Sequence, residues 1–413
     1  VSVAGAYYDA LETRDPEARE RDLFAKLARH LEHAKAKSRH YARVLCEVDP
    51  RAVRSRAALA RLPVTRKSDL AELQRTDPPF GGLDATPPSG LARIFLSPGP
   101  IFDPEGRRPD YWHTARTLFA AGFRPGDVVL NCFSYHLTPA GSMMETGLHH
   151  LGCAVIPGGV GQTEMQAAAI AQLRPSGYVG TPSFLKLILE KCDELALAAR
   201  SMRRALVSGE AFLPPVRALL AARGIETFQA YGTADLGMVA YETTAREGLV
   251  VNEGMIVEIV RPGTGDPVAP GEVGELVVTA FNEDYPLVRF ATGDLSATLA
   301  GASPCGRTNL RIKGWMGRAD QATKVRGMFV HPHQVAEVLR RHGLVRGRLV
   351  VENEAGEDRM TLQVEGEGAD AGLARALEAT LREVMKLRGA VAWRASGSLP
   401  DDGKVIEDAR RYS

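Results

Sequence analysis

The feature that most restricts this chain is a regular alternation between Asp127 and Gly232. Short apolar runs at 128–133, 154–156, 177–180, 205–207 and 227–230 are separated by stretches of helical character, among them 163–173 and 182–197. Neighbouring strands with connections this long cannot pair as tight hairpins. They pair in parallel, through right-handed crossovers that carry the helices. The segment therefore predicts an α/β fold built on a parallel sheet.

The flanking sequence reads differently. Before the alternation, Asp15 and Pro16 mark a helix start, and Leu23, Leu27 and Leu31 recur at helical spacing over 17–41. Six basic residues occur between Arg51 and Lys67 without an acid, a pattern read as a solvated face and given no function. Gly and Pro cluster over 78–106, which predicts a long, irregular, partly mobile loop. Past Val239 the pattern changes to short strands and Gly/Pro turns, at 255–260 and 275–279 for example, predicting an antiparallel, β-rich subdomain. Beyond Gly317 come a strand, a helix over 334–341, strands at 348–352 and 360–364, a helix over 371–387 and a strand near 391–394. These predict a small α+β domain.

A length of 413 residues suits two to three domains at roughly 150 residues each. The division read here is 1–317 for a large domain and 318–413 for a small C-terminal one. With 51 Lys plus Arg against 50 Asp plus Glu, no global field draws the chain to nucleic acid or to an anionic membrane. No uncharged run approaches the roughly 18 residues of a membrane span, and the N-terminus lacks a signal pattern. The five cysteines are scattered and odd in number, without zinc-ligand spacing, so a reduced, cytoplasmic setting is expected. His149 and His150 have no third ligand nearby in sequence, which argues against a metal there.

In open parallel sheets ligands lie beyond the carboxyl ends of the strands, so motifs that follow strands are the candidates. Ala230 to Gly237 offers an aromatic ring in Tyr231, close backbone approach at Gly232, a hydroxyl in Thr233 and a carboxylate in Asp235. Such a set could hold a nucleotide and its magnesium, since Mg²⁺ takes one or two carboxylates plus phosphate oxygens. It reads equally well as a strand end with a capping Asp. Thr292-Gly293-Asp294, followed by Arg318, could hold vicinal ribose hydroxyls, though taken singly Thr-Gly-Asp is a common turn. Lys404 stands in a Gly-containing tail far from the rest; an isolated surface lysine is normally solvated.

The order of these motifs resembles the phenylacetate-CoA ligase family of the adenylate-forming superfamily. The likeness begins at Tyr8-Asp9-Ala10 and runs through Leu62-Pro63-Val64-Thr65-Arg66-Lys67-Ser68-Asp69-Leu70. It continues with Ser208-Gly209-Glu210, the Tyr231 motif, Thr292-Gly293-Asp294, Gly317-Arg318-Ala319-Asp320 and Lys404. The resemblance implies that ATP and an acid form an acyl-adenylate in the large domain, and that CoA then takes the acyl group. By position it puts Ser208, Gly209 and Glu210 along the base pocket and Tyr231 against adenine, with Gly232 and Thr233 beside it. It puts Asp294 and Arg318 on the ribose, Asp235 where the family usually has a Mg²⁺-binding Glu, and Lys404 between carboxylate and α-phosphate. Asp320 matches the hinge of a mobile lid domain, and Gly327 a segment reaching the CoA tunnel. The loop 133–141 matches a stretch bordering the acid pocket, which makes Tyr135 and His136 the candidates for substrate contact. The implied acid is small and aromatic. Delivery of an adenylate to a carrier protein or an amine, and a non-catalytic nucleotide or aryl-acid binder, stand as alternatives. The resemblance allows a homodimer.

One stretch departs from the family pattern. Where a phosphate-binding loop rich in Ser, Thr and Gly with a Lys is expected, 95–106 carries three prolines, Asp103 and Glu105. Prolines donate no amide and the two acids are expected to repel phosphate.

Overall fold

The structure, a computed structural model, describes residues 5–97, 99–316, 318–319, 323–330, 332–344, 346–354, 357–366, 371–400 and 405–410. The chain divides into two compact units, Val1–Met316 and Gly317–Ser413.

The first unit opens with α1 (Pro16–Lys37). The Asp15 carboxylate accepts from the Ala18 amide, and Pro16 occupies the first turn, where a missing N–H costs nothing. Leu23, Leu27, Leu31 and Ala34 are buried along one stripe. Ser38 ends this helix and its hydroxyl caps α2 (Arg39–Val44), so the single helix expected over 17–41 is two. After α3 (Arg56–Leu59), β1 (Thr65–Arg66) and α4 (Leu70–Thr76) comes a correction to the loop expected over 78–106. Its second half is an antiparallel hairpin of β2 (Arg93–Ser97) and β3 (Ile101–Glu105), in register from Arg93 opposite Glu105 to Ser97 opposite Ile101. Gly99 and Pro100 mark only its turn, and Pro104 is tolerated because both strands are edges. Gln74 on α4 clamps the hairpin: its Oε1 accepts from the Phe102 amide at 2.7 Å and its Nε2 donates to the Phe102 carbonyl at 2.9 Å.

After α5 (Thr114–Ala120), the expected alternation follows as β4 (Val128–Asn131), α6 (Ala140–Leu151), β5 (Ala154–Pro157), α7 (Thr163–Leu173), β6 (Gly177–Gly180), α8 (Pro182–Glu194), β7 (Arg204–Val207), α9 (Pro214–Ala222) and β8 (Glu226–Thr233). These five strands run parallel in the order β5-β4-β6-β7-β8. Val129, Val179, Leu206 and Phe228 are almost wholly buried beneath the crossover helices. The following strands do not all form a separate subdomain. Only three residues separate β8 from β9 (Gly237–Tyr241), so β9 must return antiparallel beside it. With β10 (Leu249–Val251) it extends the same sheet, whereas β11 (Met255–Val260), β12 (Gly274–Ala280) and β13 (Phe290–Ser296) build a second sheet in the order β1-β13-β12-β11. The short strands β14 (Thr298–Leu299) and β15 (Arg311–Ile312) complete the nine-stranded sheet.

In the second unit β16 (Thr323–Val325) and β17 (Met328–Val330) form a hairpin. α10 (Pro332–Arg341) and α11 (Ala371–Met385) bury Val335, Val338, Leu377 and Leu381 in one core with residues of β18 (Gly347–Glu354) and β19 (Glu357–Glu365). β20 (Ala390–Arg394) and β21 (Ile406–Asp408) flank these two strands in the order β20-β19-β18-β21. Among the described residues, no helix is long and apolar enough to cross a membrane.

Candidate active site

Two strands from different sheets aim the site. β1 pairs in parallel with β13, Thr65 opposite Phe290 and Arg66 opposite Ala291, so Lys67 leaves β1 close to where β13 delivers Asp294. β8 ends in Tyr231, Gly232 and Thr233 and turns at once into Asp235; the Thr233 hydroxyl accepts from the Leu236 amide and fixes that turn. The three motifs converge. The Tyr231 hydroxyl donates to Asp294 Oδ2 at 2.8 Å, and Trp315 Nε1 donates to Oδ1 at 3.0 Å. Lys67 Nζ donates to Asp235 Oδ2 at 2.5 Å. The Asp294 backbone is set in turn: Thr292 Oγ1 accepts from its amide, and Gly293 takes a φ of +75° that favours glycine.

The electrostatics of this cluster are unusual. The Asp235 side chain is fully buried, and its Oδ1 has no hydrogen-bond partner among the described residues. Asp103, on β3, is also fully buried, and among the described residues neither of its oxygens has a hydrogen-bond partner. Burial first, and then the neighbouring Asp235 charge, push the Asp103 carboxyl up to about 8, against the opposing pull of Lys67. Burial would lower the Lys67 ammonium, but Asp235, Asp103 and Asp294 outweigh it and hold the group above its ordinary value. The buried Tyr285 hydroxyl, which has no hydrogen-bond partner among the described residues either, belongs to the same electrostatic neighbourhood.

This arrangement corrects two expectations. Asp103 and Glu105 are not free anions facing a phosphate position. Asp103 is buried inside the hairpin with its carboxyl pushed up by burial, and Glu105 accepts from Arg93 and from Ser142 Oγ, each at 2.7 Å. Nor is the basic run 51–67 only a solvated face, because its last member, Lys67, keeps just 22% of its side-chain surface and sits at the centre of the site. Sequence reasoning gave no role to Lys67 or Trp315 and read Asp103 only as an anion that repels phosphate. Lys67 could have been found from its place inside the quoted 62–70 signature, directly after a strand; nothing local marks Trp315.

The other candidates lie at the neighbouring strand ends. After β7 the Ser208 hydroxyl donates to the Ala230 carbonyl at 2.8 Å, Gly209 takes a φ of +84°, and Glu210 accepts from the Ser183 amide at the start of α8. The loop after β4 carries Tyr135, whose hydroxyl accepts from Asn131 Nδ2 at 2.7 Å, and an exposed His136. This loop touches the hairpin, where the Leu96 amide donates to the Leu137 carbonyl, and Phe133 lies 3.8 Å from where a Gly209 Cβ would stand. In the second unit, Arg318 is described and Gly327 forms the β16–β17 turn with a φ of +83°. Asp320 and Lys404 lie outside the described residues.

Comparison with known proteins fits this geometry. Residues 110–281 match the family described as AMP-binding enzyme. The phenylacetate-coenzyme A ligase of Thermus thermophilus is 33% identical over 316 residues, which is 72% of this chain and 70% of that protein. This chain belongs to the phenylacetate-CoA ligase family. It is thus an AMP-forming acid–CoA ligase. The Escherichia coli family member is 32% identical over 70% of this chain and 68% of its own length. The fold matches that of a 2-hydroxyisobutyryl-CoA ligase crystallised with its acyl-adenylate and CoA, at a TM-score of 0.80 and 24% identity over 99% of this chain and 93% of that one.

In a ligase of this family Mg²⁺ would arrive with ATP, and Asp235 fits it through one oxygen only. Oδ1 is buried and unpartnered while Oδ2 is held by Lys67. Among the described residues no group of three or more His, Cys, Asp or Glu is placed to hold a metal alone. A single protein carboxylate with phosphate oxygens and waters is an ordinary Mg²⁺ shell.

Proposed function

We propose that this ligase activates a small aromatic carboxylic acid, of phenylacetate or benzoate type, and passes it to CoA. The observation that carries the reading is the aromatic loop after β4, in which Phe133 lies 3.8 Å from where a Gly209 Cβ would stand and Leu137 meets the hairpin at Leu96. The naming of the curated relatives, four phenylacetate-coenzyme A ligases at 29–33% identity, supports it.

In the first step a carboxylate oxygen attacks the α-phosphorus of ATP, the bond to pyrophosphate breaks, and an acyl-adenylate forms. In the second the CoA sulfur attacks the acyl carbon and AMP leaves. Asp294, oriented from both sides by Tyr231 and Trp315, accepts from the ribose hydroxyls, and the family pattern assigns Arg318 to the same ligand. Tyr231 covers the base against the Ser208–Glu210 turn. Lys67 supplies positive charge that the proline-rich hairpin lacks. Asp235 would hold Mg²⁺ through its unpartnered Oδ1, and the ion would supply charge neutralisation at the phosphates. Lys404 bridges carboxylate and α-phosphate, and a fixed cation there stabilises the charge that develops in the transition state. Asp320 is the hinge, and Gly327 lies on the segment that lines the CoA path.

ATP–pyrophosphate exchange with benzoates, phenylacetates and short aliphatic acids, followed by thioester detection with CoA, tests the reading. Exchange with aryl acids and CoA-dependent thioester formation are expected. Exchange confined to aliphatic acids would overturn the aromatic assignment, and adenylate formation without thioester would point to a carrier-protein or amine acceptor.

A further inference from the structure

One buried side chain ties together the two loops that follow β4 and β5, and the chemistry above gives it no part. The strand order turns at β4: the chain leaves it for β5 on one side and returns through α7 to β6 on the other. At such a turning point the carboxyl ends of the strands open a crevice for ligand. Tyr135 stands on the loop after β4, and the loop after β5, residues 158–161, runs beside it. The Gly159 amide donates to the Asn131 carbonyl at 3.0 Å, and a Cβ on Gly159 would lie 4.0 Å from Cδ2 of the Tyr135 ring. Asn131 in turn donates from Nδ2 to the Tyr135 hydroxyl at 2.7 Å and to the Gly141 carbonyl at 2.8 Å.

Three of the four residues 158–161 are glycine, and two of them take left-handed values, φ +64° at Gly159 and +75° at Gly161. Such a run gives up more freedom on ordering than any other, so it needs a hold from outside. Gln166, on α7 and only 4% exposed, supplies it. Its Nε2 donates to the carbonyls of Gly161, Gly159 and Gly158 at 2.8, 3.0 and 3.3 Å. Its Oε1 accepts at 2.9 Å from Sγ of Cys132, the residue that follows β4. The amide therefore joins both loops. It fits because position 158 is glycine, where a Cβ would come within 2.8 Å of Oε1. Capping of α7 does not account for the contacts: a helix N-terminus presents orphan amides, whereas Nε2 goes to loop carbonyls.

Resting on the acid site proposed above, we infer that Gln166 is a positioning residue for the acid substrate: it fixes loop 158–161, and through that loop the placing of Asn131 and Tyr135. A displacement of about 1 Å passed on in this way is enough to weaken a reaction that depends on where the acid lies.

The test uses ATP–pyrophosphate exchange with whichever benzoate or phenylacetate the parent enzyme turns over best. Gln166→Met keeps an unbranched chain and removes the amide, and Cys132→Ala removes one restraint with little change of volume. With folding verified by melting temperature, Gln166→Met should raise KM for the acid by about tenfold, the loss of one or two ordinary hydrogen bonds, and leave KM for ATP within about twofold. Cys132→Ala should move the same constant in the same direction, and less. Hydrogen exchange over 157–166 should slow in the parent when the acid is added, and should be faster in Gln166→Met than in the parent without it. An acid KM that stays put while the loop's exchange quickens, or a KM for ATP that rises as much as that for the acid, would overturn the inference while leaving the aryl-acid reading intact. Should Gln166→Met not fold, the parent alone decides: an acid that is turned over yet leaves exchange over 157–166 unaltered overturns the inference. Pyrophosphate exchange with none of the acids would overturn both.

Discussion

Replacing Lys67 by Met removes the cation that donates to Asp235 while keeping an unbranched chain of similar length. The Asp235 side chain is fully buried and would be left with both oxygens unpartnered next to Asp103. Deleting one member of a buried pair costs about 3–5 kcal/mol, because the surviving charge is uncompensated. Lys67 retains 22% of its side-chain surface, so its amine is partly screened and the lower end, about 3 kcal/mol, applies. In a unit of this size that corresponds to a melting point lower by roughly 5 °C. Asp235→Asn placed on top of Lys67→Met takes away the orphaned charge, so the double variant should recover most of the lost stability. In pyrophosphate exchange, Lys67→Met should raise KM for ATP far more than KM for the acid. The reasoning fails if Lys67→Met melts within about 1 °C of the parent, or if the two substitutions simply add.

Asp103 gives a pH signature. Its folded-state pKa is raised to about 8 from an ordinary 3.8, so the unfolded chain releases the proton first. The stability linked to the protonated group is complete below the unfolded value and declines as pH rises toward 8. Asp103→Asn cannot lose a proton, and differential scanning calorimetry from pH 5 to pH 8 should show its melting point gaining steadily on the parent's; parallel curves would refute the burial argument. Gly141→Ala sets a methyl 2.8 Å from the Ser134 carbonyl and from the Tyr135 ring. Such overpacking costs about 1–3 kcal/mol, and steady-state kinetics should show a higher KM for the acid with KM for ATP little changed. For Lys404→Ala the expected loss is on the order of 100- to 1,000-fold in adenylate formation, with thioester formation from preformed acyl-adenylate retained; equal loss in both half-reactions would remove Lys404 from its assigned role.

The parallel core was legible because its signal is local and periodic. Residues 177–180 read as a strand and 163–173 as a helix, and both carry those bounds in the structure. Tyr231 and Asp294 lie near the carboxyl ends of β8 and β13 and Asp235 just past β8, positions that the strand signals in the sequence mark. What stayed hidden depends on pairing between distant segments. Lys67 looks like the last charge of a basic surface run until β1 is seen to pair with β13. Asp103 reads as an anion in a loop until the hairpin turns it inward, away from water. Trp315 meets Asp294 only because the chain after β15 comes back to the end of β13. The break at Ser38 was written in the sequence as a helix-capping residue, but the leucine period to either side masked it.

The grip of Gln74 on Phe102 has a kinetic meaning. A segment that is loose before its ligand arrives must give up backbone freedom, about 1–2 kcal/mol per residue immobilised, in every turnover. Here both hydrogen bonds of one side-chain amide, together with the strand pairing, settle that loss once, when the protein folds. The hairpin is thus ordered before any ligand arrives; if it lies beside ATP as proposed, swapping Gln74 for a residue without an amide should show itself first in how fast ATP enters and AMP escapes.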